Sequence, residues 1–101
     1  METRRYTRQK LPGQLALVGK KFNLLDVSSE GCSVFSEHHE FSLNEVYESQ
    51  LVFGGVNIGV NVIFVNKNED KKRYGAEFLF VEKGSRNKLR NYLLTNRDRI
   101  K

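Results

Sequence analysis

One segment in the middle of the chain alternates between large apolar residues and polar or small ones with a period of two. One side carries Val56, Ile58, Val60, Val62 and Phe64, and the other carries Asn57, Gly59 and Asn61. Successive side chains of a β-strand point to opposite faces, so this pattern predicts a strand with one face in a core and one polar face. The glycine pair before it, Gly54-Gly55, predicts a two-residue hairpin turn, because glycine adopts positive φ without steric cost. The chain is therefore expected to consist mainly of antiparallel strands.

Further short segments with the same period surround this strand. We predict strands at Gln14 to Val18, Phe22 to Val27 and Gly31 to Phe35, another containing Tyr47, Ser49, Leu51 and Phe53, and a last one with Tyr74, Ala76, Phe78 and Phe80 on its inner face. Gly75 in the last strand indicates a bulge or a close backbone contact. Polar loops are predicted at Ser36 to Asn44 and at Asn66 to Lys72.

The period changes near the C-terminus. Ser85 is predicted to cap a helix over residues 85–101, whose apolar stripe consists of Leu89, Tyr92, Leu93 and Ile100. A chain of 101 residues with 39% hydrophobic residues supports a single domain. The expected architecture is a small antiparallel barrel or sandwich over residues 11–82, preceded by a flexible basic arm at residues 1–10 and followed by the helix.

The net charge of +5 is distributed unevenly. Residues 1–10 carry +3 and residues 86–101 carry +5, whereas residues 11–85 carry −3. A uniformly basic binding face is therefore not expected. Cys32 is the single cysteine, which excludes an intrachain disulfide and a cysteine-based zinc site and fits a reducing compartment. The sequence contains no signal peptide and no long apolar run, so a soluble, cytoplasmic protein is expected.

Two short motifs carry candidate binding residues. The first places Arg4, Arg5 and Arg8 within five residues of the basic arm. Each guanidinium presents a planar fork of donors that suits a phosphate or a guanine edge. The alternative is a solvated basic tail that aids solubility, because the same arginine spacing recurs at Arg86 and Arg90.

The second motif runs from Asp26 to Gly31 and joins the end of one predicted strand to the start of the next. Asp26 and Ser28 would present a carboxylate and a hydroxyl at the rim of the sheet, and Gly31 would permit the turn. A carboxylate can accept hydrogen bonds from the N1 and N2 donors of a guanine. The alternative is a turn whose side chains satisfy their own backbone, and both interpretations can hold together.

Together the motifs resemble the PilZ domain family of bacterial cyclic di-GMP receptors. The resemblance rests on Arg4 to Arg8, on Asp26 to Gly31 continuing into Cys32-Ser33-Val34, on Tyr74-Gly75-Ala76-Glu77-Phe78, and on the C-terminal helix. It implies one PilZ-like domain over residues 1–101, with a six-stranded antiparallel barrel and a C-terminal helix. It also implies a cyclic di-GMP site in which Arg4 and Arg8 clamp phosphates, Arg5 assists, Asp26 and Ser28 read a guanine and a phosphate, and Gly31 is the turn residue. The seventeen residues between the two motifs form a shorter spacer than the family pattern has.

The function expected from this resemblance is a cyclic di-GMP receptor that orders its arginine arm on binding and signals to an unidentified protein partner in motility, biofilm or exopolysaccharide control. No cofactor, metal, membrane span or nucleic acid polymer is expected, and the chain is expected to be a monomer or a weak dimer. No catalytic constellation is visible, so a non-enzyme is expected. Two alternatives stay open: a small barrel that binds single-stranded nucleic acid, and a PilZ-like adaptor that binds only protein.

Overall fold

The computed structural model describes residues 8–80 and 82–96, which form six β-strands followed by one helix. The elements are β1 (Gln14–Leu17), β2 (Lys20–Val27), β3 (Gly31–Phe35), β4 (Val46–Phe53), β5 (Val56–Asn68), β6 (Arg73–Leu79) and α1 (Lys83–Asn96). Every neighbouring pair of strands is antiparallel, and the strand order β1-β2-β3-β6-β5-β4 closes on itself as a barrel. The prediction of a six-stranded antiparallel barrel with a C-terminal helix is confirmed, and the sandwich alternative is wrong.

The alternating residues of β5 line the core as predicted. Ile58, Val60, Val62 and Phe64 are buried, whereas Asn57 and Gly59 are exposed. The inner face of β6 is also as predicted, with Tyr74, Ala76 and Phe78 buried. Burial of these large side chains is the main force that holds the barrel together.

One end of the barrel is closed by aromatic rings. Phe41, which lies in the segment predicted as a polar loop, is only 5% exposed and stacks on Phe64 with 4.2 Å between ring centroids. The rings of Phe22, Tyr47 and Tyr74 contact Phe41 edge-on, and the hydroxyl of Tyr74 accepts a hydrogen bond from the Phe41 backbone N–H. The loop therefore contributes a buried aromatic side chain that closes this end of the core, which its polar composition did not predict.

Helix α1 closes the other end of the barrel. Leu89 and Leu93 are buried, and Tyr92 stacks on Phe53 with 4.4 Å between centroids. The predicted stripe is thus confirmed for these three residues, whereas Ile100 lies outside the described residues. The helix begins at Lys83, two residues before the predicted cap, so Ser85 lies in its first turn. The first turn is tightened by a hydrogen bond from the Ser85 N–H to the Glu82 carbonyl.

Strand β5 is longer than predicted. It extends to Asn68, so the loop predicted at Asn66 to Lys72 is shortened to residues 69–72. The register against β6 shifts between Phe64 and Asn66, which makes Val65 the additional residue of a β-bulge. Gly75 lies opposite this bulge, and a Cβ placed on it would be 2.5 Å from Oδ1 of Asn66. The close contact predicted for Gly75 is therefore present, with the bulge on the partner strand.

Among the described residues, no helix is long and apolar enough to cross a bilayer.

We expect Leu89→Ala to lower the free energy of unfolding by about 2–5 kcal/mol, because a fully buried leucine leaves a cavity when it is truncated. Leu94→Ala is the matched control, since Leu94 is 54% exposed in the same helix and should change stability by less than about 0.5 kcal/mol. Urea denaturation followed by circular dichroism measures both. Equal losses in the two variants would show that α1 does not close the core.

The hairpin between β1 and β2 provides a second prediction. Leu17 pairs with Lys20, so the turn consists of Val18 (φ 48°) and Gly19 (φ 74°), and β2 begins two residues earlier than predicted. Positive φ is strained for a β-branched residue, whereas asparagine before glycine is the preferred pair in this kind of turn. We expect Val18→Asn to raise the free energy of unfolding by about 1 kcal/mol.

Val46→Asn is the control for this prediction. Val46 is 55% exposed but lies in β4 with ordinary strand geometry, where asparagine is disfavoured. It should leave the stability unchanged or lower it. A gain at both positions would point to an effect of surface hydrophobicity and contradict the strain at Val18.

Candidate functional site

The chain that leads into the barrel is hydrogen-bonded to β2 through Gln9 and again through Gly13, just before β1. Gln9 and Val27 exchange two backbone hydrogen bonds of 2.8 and 2.9 Å, and Leu11 is buried in the core. The last residues of the segment predicted as a flexible arm therefore lie against the barrel. Arg4 and Arg5 lie outside the described residues.

A β-bulge in β2 determines where Asp26 lies. Leu24 pairs with Val34 but Asp26 pairs with Ser33, so Leu25 is an additional residue on this strand. Phe22 and Val27 are buried, so strict alternation from Phe22 would have placed Asp26 on the core side of the sheet. The bulge reverses the alternation and moves the carboxylate to the outer face of the barrel.

The carboxylate of Asp26 lies between two guanidiniums. Nη1 of Arg8 donates to Oδ1 at 2.7 Å, and Nη2 of Arg73 donates to Oδ2 at 3.4 Å. The side chain of Asp26 is 18% exposed, whereas Arg8 and Arg73 are 35% and 38% exposed. We call these three residues the arginine–aspartate cluster. It presents cationic N–H donors and carboxylate acceptors side by side on one surface.

Arg73 was missed in the sequence analysis. Its position could have been found from the alternation of β6, because Tyr74, Ala76 and Phe78 point inward and Arg73 must then point outward. The partner of its side chain could not, because Asp26 is 47 residues away in the sequence. Only the pairing of β3 with β6 brings the two side chains together.

Ser28 is used by the turn itself. Its side chain is buried, and its hydroxyl oxygen accepts hydrogen bonds of 3.2 Å from the backbone N–H groups of Glu30 and Gly31. The Ser28 N–H donates to the Gly31 carbonyl at 2.8 Å, which closes the loop. The interpretation as a self-satisfied turn therefore holds for Ser28, whereas Asp26 directs its carboxylate to arginine side chains instead.

Gly31 is required by close packing and not by its backbone angles. It is absent from the described glycines with positive φ, which are Gly19 and Gly54. A Cβ on Gly31 would collide with the carbonyl oxygen of Ala76 in β6. Gly31 thus allows the start of β3 to approach β6, where it pairs with Glu77.

The same turn contacts helix α1. Oε2 of Glu30 lies 3.2 Å from Nη1 of Arg86, and the Arg86 guanidinium lies 4.7 Å from the ring centroid of Phe80. The backbone carbonyl of Glu30 accepts a hydrogen bond from the N–H of Phe78. The turn is therefore in contact with both the last strand and the first turn of the helix.

Cys32 lies beneath the site and is fully buried. Burial raises the pKa of its thiol from an ordinary value of 9.0 to about 12, which keeps the thiol protonated at neutral pH. His38 and His39 form no metal centre with their neighbours, because the described residues contain no group of three or more metal-ligating side chains that could hold an ion.

Comparison with known proteins identifies the family of the chain. A family model described as the PilZ domain matches residues 2–95. The chain therefore belongs to the PilZ domain family. A comparison with curated proteins found no match.

Solved structures share the fold at low sequence identity. The Bacillus subtilis inhibitor of motility, MotI, superposes with a TM-score of 0.79 at 12% identity and covers 100% of this chain and 54% of its own. MrkH of K. pneumonia in its c-di-GMP complex gives a TM-score of 0.77 at 17% identity, with coverages of 93% and 52%. YcgR of Escherichia coli in complex with c-di-GMP gives a TM-score of 0.76 at 18% identity, and the match covers 95% of this chain and 46% of YcgR. The chain thus spans about half the length of these proteins.

We expect Gly31→Ala to lower the free energy of unfolding by about 1–3 kcal/mol, because the added methyl group forces β3 away from the Ala76 carbonyl. Gly55→Ala is the matched control, since nothing lies within 4 Å of a Cβ at that position. Urea denaturation compares the two variants. If both were equally stable, Gly31 would owe its place in the motif to something other than packing.

Proposed function

We propose that the protein is a receptor for cyclic di-GMP that binds the ligand on the outer face of the barrel, at the arginine–aspartate cluster. The observation that carries this proposal is the carboxylate of Asp26 held between Arg8 and Arg73. Membership of the PilZ domain family and the c-di-GMP complexes of MrkH and YcgR support the choice of ligand.

The chemistry of the cluster suits both parts of such a ligand. Guanidiniums bind phosphate oxygens through paired N–H donors, and an ionised carboxylate accepts from the N1 and N2 donors of guanine. Since Arg8 already contacts Asp26, we propose that binding is an exchange. Arg8 moves from the carboxylate to a phosphate, and the carboxylate is released to a guanine.

Arg4 and Arg5 complete the proposed site. Arg4 precedes Arg8 by four residues, so an extended chain carries it at most about 14 Å from Arg8. The bridge between Gln9 and Val27 is the fixed point from which this arm reaches the ligand. The ligand is proposed to order the arm against the barrel, with Ser28 and Gly31 holding the turn beneath it.

The signal is proposed to pass to a protein partner through the turn and helix α1. Glu30 joins the two through its ion pair with Arg86. A ligand that shifts the turn would change the position of Glu30, and with it the surface formed by the start of the helix. We propose that this partner controls motility, biofilm formation or exopolysaccharide production.

Isothermal titration of the protein with cyclic di-GMP tests the proposal. We expect saturable binding, and we expect Arg8→Ala and Asp26→Asn each to raise Kd by about tenfold to a hundredfold, because each removes charge-assisted hydrogen bonds. The matched controls are Arg90→Ala, on an exposed position of α1, and Asp70→Asn, in the exposed loop before β6. They make the same changes of charge away from the site.

Three results would contradict the proposal. The first is the absence of heat with cyclic di-GMP, and the second is equal weakening by the control variants. The third is tighter binding by Arg8→Ala, which would mean that Arg8 only blocks Asp26. Tighter binding of a single-stranded oligonucleotide, with a steep salt dependence, would instead favour the nucleic-acid-binding alternative.

A further inference from the structure

Arg73 reaches Asp26 across a whole strand. Asp26 pairs with Ser33 on one edge of β3, and Arg73 pairs with Phe35 on its other edge. The guanidinium therefore extends over the outer face of β3, where Ser33 is only 8% exposed. Neighbouring strands lie about 4.8 Å apart, so the two backbones are separated by roughly 10 Å, a distance that only a long side chain spans.

The two arginines of the cluster are attached to the molecule in different ways. Arg8 lies outside the strands, and the chain is anchored to β2 only from the next residue on, by the hydrogen bonds of Gln9 and Gly13. Arg73 lies in a strand that pairs on both sides, with Phe35 of β3 and with Asn68 of β5. Arg8 can move without breaking the barrel, whereas Arg73 keeps its place as long as the sheet is intact.

This difference matters for Asp26 during the proposed exchange. The carboxylate is 18% exposed, and a partly buried charge that loses its partner is costly. When Arg8 turns to a phosphate, Arg73 still neutralises the carboxylate and still holds Oδ2. If Arg73 holds Oδ2 in place, the plane of the carboxylate is also held. The orientation of this plane determines whether the carboxylate can accept from N1 and N2 of guanine at the same time.

We propose that Arg73 is a positioning residue that orients Asp26 for guanine and thereby sets the base specificity of the site. This inference rests on the proposed function. It differs from a direct role in phosphate binding, because a phosphate contact would affect all cyclic dinucleotides alike. It also differs from a purely structural role, which would weaken every ligand in proportion.

The test compares two ligands that differ at the atoms that Asp26 would read. One is cyclic di-GMP, and the other is its inosine analogue, which keeps N1–H but lacks the exocyclic amino groups. We expect the parent protein to prefer cyclic di-GMP by about tenfold, the value of one hydrogen bond to a charged group. We expect Arg73→Ala to reduce this ratio to about twofold, and mainly through weaker binding of cyclic di-GMP.

Two further variants sharpen the comparison. Arg73→Lys keeps the positive charge but not the planar fork, so it should restore part of the affinity and little of the preference. Lys71→Ala is the matched control, because it removes one positive charge from the exposed loop next to β6 and should leave the ratio unchanged. Circular dichroism and thermal unfolding of each variant show whether the barrel is retained.

The outcomes separate this inference from the function on which it rests. No binding of cyclic di-GMP by the parent would overturn both. Binding by the parent, with the same preference in Arg73→Ala, would overturn the positioning role alone. If Arg73→Ala weakened the binding of both ligands by the same factor, the positioning role would also be overturned. Arg73 would then be assigned to phosphate binding or to the fold.

Discussion

Strand β3 pairs with β2 along one edge and with β6 along the other, and the second pairing closes the barrel together with that of β1 and β4. It depends on Gly31, since any side chain there would push β3 away from Ala76. The same pairing places Arg73 within reach of Asp26, although 47 residues separate them. Gly31, at the end of the second motif, thus lets β3 approach β6, and this pairing assembles the arginine–aspartate cluster. Fold and site share one constraint.

The packing of the core leaves the outer face of the barrel as the surface on which a ligand could bind. Phe41 and its aromatic neighbours close one end and helix α1 closes the other, so the interior is filled by side chains. A ligand site on this fold must then lie outside, on the strands or at the turns. Moving Arg8 on that surface leaves the Asp26 carboxylate paired with Arg73 and opens no cavity. The proposed exchange at Arg8 therefore requires no rearrangement of the barrel.

Most of the strands followed from period-two alternation, and the features that escaped prediction were those where the alternation is broken. A single additional residue at Leu25 moves Asp26 from the inner to the outer face, and Val65 does the same for Asn66. No local property of leucine or valine marks these bulges, because they are set by the register of strands paired at long range. The motif correctly singled out Asp26 as a surface group, whereas alternation alone would have buried it. Arg73 could be placed on the outer face from the sequence, but its partner could not.

The arrangement of charges resolves a conflict inherent in the proposed ligand. A carboxylate that accepts hydrogen bonds from guanine also repels the negatively charged phosphates of the same ligand. Two guanidiniums beside Asp26 leave the cluster with a net positive charge, so the acceptor is kept and the repulsion is offset. In the proposed exchange Arg8 leaves the carboxylate, whereas Arg73 stays beside it. In the proposed site an acidic residue can lie beside an anion because Arg73, held in β6, neutralises it.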